Sequence, residues 1–261
     1  MNQWSINRKR FILFLIILIL VVLIGAPIFF FFYKAPTCFD KKQNGDEVGV
    51  DCGGSCSLIC TTQTLPLIMK GDPRVLRVAT STYEVISYIE NPNVSAEILL
   101  APYTFNIYGA NSAVPLKTIS GQTFVPKGSS FVVFEGPFNL LGDIPVRTTF
   151  SLDNNSLVWQ KNLNNLPDLK IKDSTLSNTD SEPRLEAGLT SSSLVSVLNI
   201  ELVALVFDDK GNTVGASKTF IDSLRVGESA PLVFVWPEPF VGKPATFEII
   251  PRILPNKSYI K

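Results

Sequence analysis

The sequence predicts an all-β body carried behind a single membrane-spanning helix. Three observations predict it. An apolar run of 23 residues without a charge stands near the N-terminus, and all four cysteines crowd into the stretch after it. From about residue 67 onward, short runs rich in β-branched and aromatic residues alternate with Gly, Pro, Asn and Asp. Outside the apolar run no stretch sustains a 3.6-residue period, so strands are the expected way to bury these side chains.

Residues 1–10 form a short tail expected in the cytoplasm. Residues 11–33 read FILFLIILILVVLIGAPIFFFFY. As a helix this run rises roughly 34 Å, enough for a hydrocarbon core of about 30 Å. A cleaved signal peptide has a shorter apolar core and a small-residue cleavage site. This run is longer and ends FFFFYK, so an uncleaved anchor is expected, kinked at Gly25, Ala26 and Pro27. Arg8, Lys9 and Arg10 precede it and Lys34 alone follows. The positive-inside rule then places the C-terminal portion outside the cell membrane.

Composition removes several classes of chemistry. Histidine is absent, which excludes Ser/His/Asp and Cys/His triads within this chain. Of the 23 basic groups four lie in residues 1–34, leaving 19 against 23 acidic groups outside, a net charge of −4. Such a surface has no electrostatic footprint for nucleic acid. Gly-rich phosphate loops are missing too. No enzyme activity is expected.

Residues 34–65 carry the cysteines, in CFDKKQNGDEVGVDCGGSCSLIC. In an oxidising compartment Cys38, Cys52, Cys56 and Cys60 are expected to form two disulfides, a covalent aid to a segment too small for a core. Three pairings are open. The flexible Gly53 and Gly54 favour Cys38 with Cys56 and Cys52 with Cys60. A four-thiolate zinc site is the competing arrangement, but 13, 3 and 3 intervening residues do not make paired C-x₂₋₄-C ligands. Calcium is a second expectation. With Gly45 at the sixth place of an EF-hand-like loop, Asp40, Asn44 and Asp51 fall at the first, fifth and twelfth. Lys42 at the third place and Asp in place of Glu at the twelfth run against it. The alternative is a polar turn at Asn44, Gly45 and Asp46, with Asp51 solvating the loop.

Residues 66–163 and 166–261 are expected to be two β-sandwiches joined at 164–167. Strand runs include YEVISYI (83–89), YTFNIYG (103–109), SFVVFEG (130–136) and TTFSLD (148–153), then VSVLNIELVALVFDD (195–209), KTFIDSL (218–224) and LVFVW (232–236). The halves repeat. Tyr108 answers Phe207 and Gly128 answers Gly227, each displaced by 99 positions, and FVVF at 131 answers LVFV at 232. A period near 100 residues is the size of one immunoglobulin-like domain. Trp236 and the strand Phe and Tyr residues are expected in cores. Asp208 and Asp209 are expected to be turn acids rather than a catalytic pair. Asn93, Asn154 and Asn256 match the glycosylation sequon.

The stretch 185–247, with its ELVALVFDDKGNTV and LRVGESAPLVFVW runs, resembles bacterial and archaeal extracytoplasmic Ig-like domains of the adhesion-related and FxLYD-like type. That resemblance implies a sandwich fold and no particular activity. The cysteine stretch resembles a surface-protein motif, C-x-D-x-x-x-N-G-x-E-x-x-x-D-C-G-G-x-C, which implies a small extracellular disulfide-bonded unit. The function expected is therefore structural or adhesive: anchored by 11–33 and binding an envelope protein, a cell-surface protein or a polymer. The second expectation is an accessory subunit of an envelope machine for secretion, pilus or cell-wall assembly.

Overall fold

The computed structural model describes residues 3–32, 35–110, 112–140, 142 and 144–255. Tyr33, which closes the expected span, Lys34, which follows it, and the sequon at Asn256 lie outside the described residues. The chain divides into two compact units, one ending at Cys56 and the other beginning at Ser57.

In the first unit, α1 (Gln3–Phe32) continues through Pro27. Its stretch Asn7–Ile28 is long and apolar enough to cross a membrane, and none of it is buried against protein. A helix apolar all round calls for an apolar surrounding. Both a membrane anchor and a signal sequence have this character.

The second unit is all antiparallel β. Its first half contains β1 (Ile68–Met69), β2 (Arg74–Ala79), β3 (Thr82–Glu90), β4 (Ala96–Gly109), β5 (Lys117–Val125), β6 (Ser130–Asn139), β7 (Pro145–Leu152) and β8 (Gln160–Lys161). Its second half contains β9 (Leu169–Ser177), β10 (Arg184–Ser191), β11 (Val197–Phe207), β12 (Thr213–Leu224), β13 (Ser229–Val235) and β14 (Thr246–Ile253). In the first half β3 lies between β6 and the split edge of β1 and β2, while β4 lies between β5 and the line of β7 and β8. In the second half β10 lies between β9 and β13, and β11 between β12 and β14. The two halves thus share one strand order. Gly128 and Gly227, the expected counterparts, both sit at positive φ two positions before β6 and β13 (+52° and +73°), a conformation glycine adopts freely.

Three apolar layers hold these four sheets. Phe105, Ile107, Ile98, Phe131 and Val85 lie in the core of the first sheet pair, and Trp236 joins Leu202, Leu232 and Phe234 in the core of the second. The third layer is the seam where outer faces meet: Leu76, Ile86, Val132 and Phe134 pack with Val203, Leu205, Ala216 and Ile250. The β3/β6 sheet and the β11 sheet are therefore covered on both faces. Burial patterns record it. Residues 83–87 of β3 and 202–206 of β11 are buried without a break, whereas β4 and β13 alternate.

Polar groups line the seam. Arg252 on β14 bonds its cross-strand neighbour Glu201 and reaches across to Thr123 Oγ1 (2.8 Å) and the Phe124 carbonyl (2.9 Å). Tyr88 donates to Glu248 at 3.0 Å, and Arg74 donates to Asn212 at 2.7 Å. Lys127 donates to the carbonyls of Asn162 and Asn164, in the segment linking the halves. Asn91, fully buried, donates to the carbonyls of Ala96 and Pro126, both at 2.8 Å. Glu84, on the seam side of β3, is buried, and its Oε2 has no hydrogen-bond partner. Burial raises its pKa from 4.5 to about 7, against the pull of Lys218.

Arg252→Met is expected to cost about 3–5 kcal/mol in denaturant unfolding, because Glu201 is left charged and unpaired. Adding Glu201→Leu should return most of that loss. Glu84 gives the opposite of usual carboxylate behaviour. Its folded pKa is the higher one, so stability is fully present below 4.5 and is lost as pH rises toward about 7. The shift corresponds to about 3 kcal/mol above pH 7. Glu84→Gln should remove that slope from a series of melts between pH 4 and 8, and a slope unchanged in the variant refutes the assignment.

Candidate functional site

The residues singled out for chemistry sit in the loop after α1, all within the first unit except Cys60. A disulfide joins Cys38 and Cys56, 5.6 Å apart at Cα. Cys52 and Cys60 are disulfide-bonded as well, so all four cysteines are oxidised. Closing a loop of this size stabilises by about 3 kcal/mol on the chain-entropy account. Cys38, Glu47 and Cys56 bring ligand atoms within 4.8 Å of one another. With both sulfurs in a disulfide, they offer no thiolate to zinc.

Inside the staple the polar motif residues have local tasks. The Asp40 carboxylate accepts from the Lys42 N–H (2.9 Å) and the Asn44 amide (2.8 Å). Asp51 accepts the Lys41 N–H on both oxygens, at 3.1 and 3.0 Å. Glu47 Oε2 accepts from the N–H groups of Asn44 (3.2 Å) and Asp51 (3.4 Å). Val48 donates to the Cys52 carbonyl at 3.0 Å, closing a small turn of backbone. Gly54 is required by space: at φ +55°, a Cβ would lie 2.1 Å from the Asp46 carbonyl oxygen. The hydrogen bond from Asn44 holds the Asp40 carboxyl below its usual range.

Asp40, Asn44 and Asp51 are therefore brought into one loop. Asp40 and Asn44 touch directly, through the amide nitrogen of Asn44, and Asp51 is bonded to the Lys41 N–H. The Asn44 Oδ1 is buried without a hydrogen-bond partner. The same spacing recurs in the β11–β12 turn. Asp208 accepts from the N–H groups of Lys210 (2.9 Å) and Asn212 (2.7 Å) and from the Asn212 amide, and its carboxyl is likewise held low. D-x-K-x-N is thus a turn in which the Asp carboxylate is satisfied locally, at Asp40 and again at Asp208, and Asp208 is the turn acid expected of it.

Of the sequons, Asn93 has its amide nitrogen committed to the Leu65 carbonyl (2.9 Å) and to Asn91 Oδ1 (2.8 Å). A glycan there would break both bonds. Asn154 is exposed in a short 3₁₀ turn.

One feature of the second unit had no signal in the sequence. Beside β7, two adjoining depressions of about 500 and 530 Å³ share Met69 and Phe150. They lie between β7 and the β1/β2 edge. Another depression, of about 670 Å³, lies between the end of β9 and the start of β14.

No protein-family model matches the chain, and no curated protein matches it. Among solved structures it is similar to red sea bream transglutaminase, at 11% identity and a TM-score of 0.24. That match covers 74% of this chain and 30% of the transglutaminase chain. A likeness at this level carries no argument about fold or activity.

Gly54→Ala is expected to strain the loop by at least about 1–3 kcal/mol. The check is hydrogen exchange over residues 38–56, which should lose protection while β3 and β11 keep theirs. In the unmutated loop, protection should fall as pH drops below 3.8, the usual Asp value, because protonating Asp40 removes its acceptor role.

Proposed function

We propose that this chain is a single-pass cell-surface protein, N-terminus in the cytoplasm, whose β body lies outside the membrane and binds another envelope or surface component without catalysis. The observation that carries this reading is the order of parts: a helix of membrane-crossing length, then fully oxidised cysteines, then an all-β unit. Stable disulfides belong to oxidising compartments, so the part after α1 is extracytoplasmic. We read the β unit as two immunoglobulin-like sandwiches, divided between Lys161 and Leu169. The shared strand order of the halves supports that division, as does the matching of Gly128 with Gly227. Calcium stays a proposal for the Asp40, Asn44 and Asp51 loop. Millimolar calcium should then raise hydrogen-exchange protection over residues 38–60, and unchanged protection removes it.

The anchor is tested in cells making the full chain. It should resist alkaline extraction from membranes, and protease added to intact cells should digest the part after residue 35. Release of a soluble chain lacking residues 1–34 overturns the anchor. Exchanging residues 11–33 for an unrelated span should leave partner capture intact. Loss of capture instead favours an accessory subunit of an envelope machine, held through its helix.

A further inference from the structure

The edge of β7 is where the sandwich is incomplete. In an immunoglobulin-type sandwich a seventh strand lies beside the sixth. Here β7 holds the sixth place, bonded to β4 along 103–109, and its other edge has no strand partner among the described residues. An edge of this kind presents a row of main-chain N–H and C=O groups to any extended chain that fits.

The protein already fills part of the vacant position from its own sequence. β8 continues the line of β7 along β4, pairing with Ala96 and Glu97. On the outer side of β8 lie residues 57–59. Leu58 pairs antiparallel with Gln160, Ile59 donates to the Trp159 carbonyl (3.0 Å), and Lys161 donates to the Ser57 carbonyl (2.7 Å). The segment then enters the 3₁₀ turn Thr61–Gln63, and Thr64–Leu67 face Phe150–Leu152 across a depression with no main-chain bond to β7 among the described residues. The strand position therefore stays open along β7, in line with a strand the chain has itself added.

The open length has an apolar floor. Phe150 stacks on the core ring of Tyr103 and meets Phe105 at a tilt, and with Met69 and Leu152 it lines the depressions there. Val146 sits in a bulge of β7, where the pairing steps from Arg147 with Tyr108 to Pro145 with Gly109, and is 59% exposed. At that end Arg74 and Arg147 outnumber the single carboxylate of Asp72. The surroundings there are positive.

We propose that this edge takes an extended segment of a partner protein as an added strand, apolar side chains alternating into the groove and an acidic residue near Arg147. Main-chain bonds to β7 supply the attachment, and the groove selects the alternation. The proposal rests on the surface-interaction reading above and names the place where that interaction occurs.

The test uses the full chain in detergent and a labelled nine-residue peptide alternating valine and threonine, with a glutamate at each end. Binding should saturate and should protect residues 145–152 from hydrogen exchange. Methylating alternate amide nitrogens of the peptide should weaken binding roughly tenfold or more, since it removes main-chain donors while keeping the apolar side chains. Val146→Lys should weaken it to a similar extent without lowering the melting temperature. Three results would overturn the proposal: protection that appears elsewhere or nowhere, equal affinity for the methylated peptide, and self-association through β7 that the peptide cannot displace. If cells carrying Val146→Lys still capture a partner through the β body, the edge assignment fails while the surface-interaction reading stands. If the chain proves to be released from the membrane but the peptide still protects β7, the edge assignment stands alone.

Discussion

The structure of the β unit depends on one seam. Each half could bury a core between its own two sheets and leave its outer faces to water. Instead the face with Leu76, Ile86, Val132 and Phe134 meets the face with Val203, Leu205, Ala216 and Ile250. Burying side chains of this kind contributes about 1.5–3 kcal/mol each relative to exposure. The same contact dictates what β3 and β11 must contain, because a strand covered on both faces has no polar side to spare. It also explains the unusual company of Glu84, whose carboxyl is buried by packing on the seam side.

The polar groups around the seam fix which way the faces meet. An apolar layer alone tolerates sliding, since dispersion and hydrophobic contacts are weakly directional. Arg252 removes that freedom by bonding Glu201 on its own sheet and Thr123 and the Phe124 carbonyl on the other half. Arg77 and the Thr80 N–H, both meeting Glu238, set a further point of register. These groups are worth less as stability than as geometry, because each charge gives up water to be there.

Much of this was legible in the residues, though not all for the reasons first apparent. The apolar run before Lys34, the strand-rich body and the oxidation of the four cysteines follow from composition and spacing. The Cys38–Cys56 bond agrees with the turn that Gly53 and Gly54 allow, and Gly54 turns out to be required by the Asp46 carbonyl as well. The seam itself was not legible in composition: FVVF and LVALVF are covered on both faces, whereas PLVFV is as apolar and buries only alternate residues. Which faces meet was hidden, because that depends on residues far apart in the chain, such as Phe134 with Val203 and Leu76 with Ile250. The Asp40 and Asn44 pattern looked like ligand spacing, and sequence offsets could not show that the Asn44 amide nitrogen faces Asp40. Asn93 looked like a modification site for the same reason, since its bond to Leu65 links residues distant in sequence.

Lys127 has a mechanical consequence. Its ammonium group holds the carbonyls of Asn162 and Asn164, in the short run of chain between the halves. With Asn162 and Asn164 tethered and the seam closed, bending between the halves is resisted at both places. Tension carried from one half to the other must shear packed sheets past each other before the connecting chain can straighten. The β unit therefore behaves under load as a stiff block, transmitting force with little extension until the seam itself gives way.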